Sequence, residues 1–122
     1  MEIKNAKITG TMLGTEDHGV MSFWLYLDYG EGGAQGAGGY VLDDYDRAMN
    51  KRIPTAMCGA VVAEVLRVVG VESWEKITGK HVRVKSDFSK VYAIGNLLKD
   101  KWMDFTHSFQ RSYDEKRNQG AE

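Results

Sequence analysis

Apolar and polar residues alternate most cleanly over positions 20–29. Met21, Phe23, Leu25, Leu27 and Tyr29 fall on one side, and Ser22, Trp24, Tyr26 and Asp28 on the other. Period two at this length, rich in aromatics, predicts a strand with the first set facing a core. Residues 3–12 alternate in part, with Ala6, Ile8 and Met12 in one row, and predict an earlier strand. Gly14 to Gly19 read as a loop. The sequence Gly39-Tyr40-Val41-Leu42 predicts a third strand, so that 20–29 and 37–43 form a hairpin through the glycine-rich stretch. Residues 43–53 are polar and charged and read as an exposed connection.

The pattern then changes period. Residues 55–69 are apolar except for Thr55, Glu64 and Arg67, and this run is too long for an ordinary strand. Pro54 at its start and Gly70 after its end are helix punctuation. The composition predicts a helix buried around most of its circumference. Ser73 is placed to cap a short helix over 74–78. Residues 80–85 alternate again, with Val82 and Val84 inward and His81, Arg83 and Lys85 outward, and 90–94 supply a matching strand. Residues 96–104 are less regular. Phe105, Phe109 and Tyr113 recur at helical spacing and predict a C-terminal helix over 104–117. The order predicts an α+β fold: a small, mostly antiparallel sheet of about five strands packed on one main helix, with a C-terminal helix. Residues 1–117 form a single domain and 118–122 a flexible tail.

Composition narrows the possible partners. The 122 residues carry 16 Lys+Arg against 17 Asp+Glu, a formal charge of −1, which excludes nucleic-acid binding by bulk positive charge. The single cysteine, Cys58, excludes an intrachain disulfide and a multi-cysteine zinc site. No signal-peptide pattern or long apolar run is present, which points to a soluble protein of a reducing compartment with no membrane partner.

Candidate chemistry is sparse. Six glycines fall between positions 30 and 39. They could cradle a phosphate, but no Gly-Lys-Ser/Thr follows, so a bending or mobile hairpin is the preferred reading. The outward row Trp24, Tyr26 and Asp28 offers stacking and anchoring side chains. The alternative is that a terminal helix bearing Phe105 and Phe109 covers that row. His81, Arg83 and Lys85, with Lys80 and Lys90 nearby, could contact phosphates or form an ordinary solvated strand face. With Gly36, Gly38, Gly39 and Tyr40 these residues would make a groove for an anionic aromatic ligand. The three histidines lack zinc-protease spacing, and Asp43, Asp44 and Asp46 lack the pattern of a calcium loop, so no metal and no cofactor is expected. Asp17-His18 could act as an acid–base pair, but a turn-organising aspartate is preferred. Cys58, on the apolar helix, reads as a small hydrophobe.

Several segments together resemble a family of short proteins encoded by phages and prophages. They are Ile3-Lys4-Asn5-Ala6-Lys7-Ile8, Leu13-Gly14, Glu16-Asp17-His18-Gly19, Leu27-Asp28-Tyr29-Gly30, Gln35-Gly36 with Gly38-Gly39-Tyr40, Val69-Gly70-Val71-Glu72 with Trp74-Glu75, Gly79-Lys80 with Arg83-Val84-Lys85, and Ile94-Gly95-Asn96 with Asp100 and Trp102. The likeness spans about residues 3–105. It implies a non-enzymatic counter-defence protein of the bacterial host cytoplasm. Such a protein would be an anti-CRISPR-type inhibitor docking on a host immune effector, or a homo-oligomer sequestering a cyclic nucleotide signal. A single-stranded nucleic-acid-binding accessory protein is the remaining alternative.

Overall fold

The structure, a computed structural model, describes residues 2–105. The elements are β1 (Glu2–Asp17), β2 (Val20–Asp28), β3 (Ala34–Val41), β4 (Asp44–Asp46), β5 (Lys51–Ile53), α1 (Ala56–Val69), β6 (His81–Ser86), β7 (Val91–Asn96) and β8 (Trp102–Asp104). Short 3-10 turns occupy Gly30–Gly32 and Trp74–Lys76. Six strands form one antiparallel sheet in the order β3-β2-β1-β6-β7-β8, and β4 pairs with β5 in a separate ribbon. The fold is α+β with a mostly antiparallel sheet and one main helix. The sheet is wider than expected because Trp102–Asp104, read as irregular, pairs with β7. The expected C-terminal helix beyond Phe105 and the tail of 118–122 lie outside the described residues.

The sheet is organised around β1. Its first part, Glu2–Lys7, pairs with β6, and from Lys7 onward it pairs with β2. Thr9 is an extra residue between the pairs Ile8↔Leu27 and Gly10↔Tyr26. Such a bulge bends and twists its strand, so two antiparallel ribbons share one bent strand. The expected loop from Gly14 is instead the end of β1. The turn is confined to His18 (φ 55°) and Gly19 (φ 77°), both left-handed as a two-residue hairpin turn requires.

One face of the sheet makes the core. Ile8, Phe23, Leu25, Leu27, Val82, Val84, Ile94 and Met103 are buried against the helix and against Leu42, Ile77 and Phe105. The alternation in β2 and β6 thus reports the inward faces, except that Ser22, expected in the outward row, is also buried. α1 buries only Val61, Val65, Val68 and Val69. The broad burial expected of it is corrected: among the described residues α1 is the one α-helix on the sheet and has one surface to pack against, and Ala56, Gly59, Ala60 and Ala63 are exposed. Each of the four valines contributes roughly 1.5–3 kcal/mol on burial. Gly70, at φ 86°, ends the helix in the left-handed region, and its N–H and that of Val71 both donate to the Leu66 carbonyl. Ser73 makes no side-chain cap, and the expected short helix shrinks to the 3-10 turn at Trp74.

The expected connection at 43–53 is also corrected. It folds into the β4–β5 ribbon, anchored by Asp43. This buried carboxylate accepts Arg52 Nε at 2.9 Å, Arg52 Nη2 at 2.7 Å and the Met21 N–H at 3.2 Å. The Arg52 hydrogen bond is the main reason its carboxyl titrates below the ordinary range. Among the described residues no helix is long and apolar enough to cross a membrane.

Candidate functional site

The glycine-rich stretch is mostly strand. After the turn at Gly30–Gly32 the chain runs straight into β3 at the sheet edge, which corrects the expected loop. Two of its glycines are there for Trp24. A Cβ at Gly36 would stand 2.9 Å from two indole carbons, and one at Gly39 would stand 2.5 Å from another. Side chains at those positions would displace the indole, which occupies the space they leave on the outer face of the sheet. Gly38 answers a backbone need: at φ 134° its Cβ would meet the Phe23 carbonyl oxygen at 2.3 Å. Here the β2–β3 register slips between Ser22 and Trp24, and Tyr40 emerges beyond the slip to pack 5.8 Å from the Phe105 ring. Burial first, and then the charge of Asp104, raises the Tyr40 phenol above its ordinary pKa.

Trp24, Gly36 and Tyr40 form one wall of an open cleft of about 410 Å³, and the β6–β7 turn forms the other through Phe88, Ser89 and Lys90. The turn is built on Asp87. Its Oδ1 accepts from the Ser89 hydroxyl at 2.6 Å, the Ser89 N–H at 2.9 Å and the Lys90 N–H at 3.0 Å. Its Oδ2 accepts from the Tyr92 hydroxyl at 2.7 Å. These bonds, that of the Ser89 hydroxyl foremost, hold the Asp87 carboxyl far below the carboxylate range, and the same carboxylate pushes the Tyr92 phenol up. The tip of this braced turn is Phe88, 100% exposed. Lys90 Nζ sits 4.7 Å from the Tyr92 ring centroid. Gln35 ties the two walls together: its Nε2 donates to the Asp87 carbonyl at 2.9 Å, and its Oε1 accepts from the Tyr29 hydroxyl at 2.6 Å.

The fold therefore gathers Trp24, Gly36, Gly38, Gly39 and Tyr40 around one cleft. Tyr26 and Asp28 share the outer face of β2. Tyr26 is half-exposed beside Gly10, while Asp28 accepts the Gly30 N–H at 2.7 Å and shapes the turn. His81, Arg83 and Lys85 do point outward, but from β6, on the far side of β1. Arg83 donates to the carbonyls of Asn96 and Lys99, and its guanidinium lies 4.8 Å from the Trp102 ring, with Lys85 Nζ at 4.3 Å. The groove expected to join glycines, aromatics and basic strand is thus divided, and among the described residues the cation that lines the cleft is Lys90. Phe105 packs on Phe23 and Tyr40 at the core side, so it does not cover the Trp24 row. Phe109 lies outside the described residues.

Sequence reasoning overlooked Phe88 and Gln35. The pattern Ser-Asp-Phe-Ser between two alternating strands is a signal for Phe88, because an aromatic at a hairpin tip cannot reach the core. Gln35 has no comparable signal, since its role depends on how the two ribbons curl. Elsewhere, His18 Nδ1 lies 2.6 Å from Asp17 Oδ1 at an exposed tip. Asp46 caps the Ala48 and Met49 N–H groups. Among the described residues no group of three or more His, Cys, Asp or Glu is arranged to hold a metal ion. Comparison with models of protein families, with curated proteins and with solved structures finds no match for this chain.

Proposed function

We propose that the protein acts by binding rather than by covalent chemistry, docking on a protein partner through the cleft between β3 and the β6–β7 turn. Phe88 is the observation that carries this reading. A fully exposed phenylalanine on a turn braced by one carboxylate is a preorganised anchor for a partner's pocket. Such aromatic anchors dominate interface energetics, and a rigid one loses little entropy on binding. The resemblance to phage- and prophage-encoded proteins makes the partner a host immune effector, with the chain as an anti-CRISPR-type inhibitor in the bacterial cytoplasm. The test is phage plating on cells whose CRISPR nuclease restricts that phage. Expression of the chain restores plaques, and Phe88→Ala abolishes the effect. Restoration that survives Phe88→Ala removes the anchor, and no restoration removes the immune-effector assignment.

The cleft volume favours one second reading, sequestration of a cyclic nucleotide signal. About 410 Å³ falls within the range of small-molecule sites, with Trp24 for stacking and Lys90 for a phosphate. Against it, Arg83 and Lys85 are committed around Trp102. Protein purified from signal-producing cells and heat-denatured would then release an intact nucleotide; release of none removes this reading.

A further inference from the structure

Resting on the docking reading, we infer that the cleft receives an extended, acidic segment of the partner protein, added to β3 as one more strand. β3 is a sheet edge with no second neighbour among the described residues. The Tyr29 N–H donates to the Gly33 carbonyl at 2.8 Å, which sets the phase of the β2–β3 ladder. In an antiparallel pair hydrogen-bonded residues alternate, so Leu27–Gln35 and Leu25–Ala37 are bonded pairs. The N–H and C=O groups of Ala34 and Gly36 therefore point off the edge.

Natural edges are guarded by lysine, proline or a covering element. Between Glu31 and Asp43 this chain has no charged residue and no proline. An edge that none of the described residues guards and that lines a cleft is what strand addition uses: main-chain bonds give affinity and alternate side chains give selectivity.

Two observations choose the occupant. The turn carrying Phe88 and Lys90 lines the same cleft as β3, so the cleft of about 410 Å³ has two walls and suits one extended segment better than the whole sheet of a second copy. Among the described residues the one charged side chain lining the cleft is Lys90, which complements a carboxylate on that segment. Trp24 on the outer face offers its indole to an apolar neighbour of that carboxylate.

The experiment uses the full chain and a labelled octapeptide of alternating valine and glutamate as probe, followed by fluorescence anisotropy and amide hydrogen exchange. Saturable binding is expected, with the Ala34 and Gly36 amides protected. Ala34→Pro removes one outward donor while sparing the internal ladder. It should weaken binding by at least about fivefold, the loss of one hydrogen bond, whereas Ala34→Ser binds as the parent does. Lys90→Gln should weaken binding and reduce its salt dependence. Thermal melting verifies that each variant is folded. No saturable binding, or binding indifferent to Ala34→Pro, overturns the proposal. So does a concentration-dependent dimer that Ala34→Pro dissociates, since the occupant is then a second copy. In the plaque assay, Ala34→Pro should also lose activity. If it stays active while Phe88→Ala does not, docking stands and strand addition falls.

Discussion

Gly36→Ala should be destabilising with Trp24 present and stabilising without it. In the parent the new methyl carbon would stand 2.9 Å from two indole carbons, well inside the contact distance of about 3.5–4.0 Å. Overpacking of this kind costs about 1–3 kcal/mol. Opposing it, replacing glycine restricts the unfolded chain and stabilises by about 0.4–1 kcal/mol, a gain available because Gly36 is not among the left-handed glycines. The net is a loss of roughly 0.5–2 kcal/mol. With Trp24→Ala the obstacle is gone, and only the gain of about 0.4–1 kcal/mol remains. The two backgrounds should differ by about 1–3 kcal/mol, several times the roughly 0.3–0.5 kcal/mol scatter of independent sites. Urea denaturation of the four proteins, followed by far-ultraviolet circular dichroism, measures the cycle without relying on the deleted indole. Equal costs of Gly36→Ala in both backgrounds would refute the claim that this glycine exists to seat the ring.

Two further outcomes follow from the charged groups. Arg52→Ala strands the buried Asp43 carboxylate and should cost about 1–3 kcal/mol at neutral pH. The folded carboxyl titrates below its unfolded value, so the stabilisation is present above about pH 4 and is lost as pH falls through the folded pKa. The stability gap between parent and Arg52→Ala, read from denaturation midpoints, must therefore close in acid; a gap constant down to pH 2 defeats the assignment. Asp87→Ala unbraces the turn, so the Ser89 and Lys90 amides should exchange faster and the Tyr92 phenol, raised by Asp87, should titrate closer to about 10. In the parent this bracing is present above the unfolded carboxyl pKa and is lost as the carboxyl protonates in acid. In strong alkali, once pH passes the raised Tyr92 pKa, only the Tyr92 hydrogen bond is lost and the Ser89 and Lys90 bonds to Asp87 remain. Unchanged exchange and an unchanged Tyr92 titration would show that the turn is held by something else.

Much of the sheet is legible in the sequence because burial on one face imprints period two, as at Phe23-Leu25-Leu27 and Val82-Val84. The helix is legible through Pro54, Gly70 and its length. The far half of β1 is not: Met12, Leu13 and Gly14 are all partly buried, so neither face stands out. The end of β3 and its hairpin with β2 are legible at Tyr40-Val41, but its start at Ala34–Gly38 is hidden, since a run of glycine and alanine carries no side-chain alternation. Only the indole above it explains Gly36 and Gly39. The β4–β5 ribbon depends on the Asp43–Arg52 contact, which local propensity does not encode. At the site, Trp24 and Tyr40 were readable as an aromatic surface. Pairing them with Phe88 and Lys90 needs the curl that brings β3 to the β6–β7 turn, with Gln35 bonded across the gap.

The double pairing of β1 has a mechanical corollary. The two walls belong to different arms, and along the sheet those arms meet only at the corner around Thr9. β3 lies two strand spacings from β1, about 10 Å, so a change of about 10° at that corner swings its wall by about 2 Å. A bend at that corner would therefore widen or narrow the cleft, and Gln35, bonded to both Tyr29 and Asp87, holds the two walls at the spacing seen.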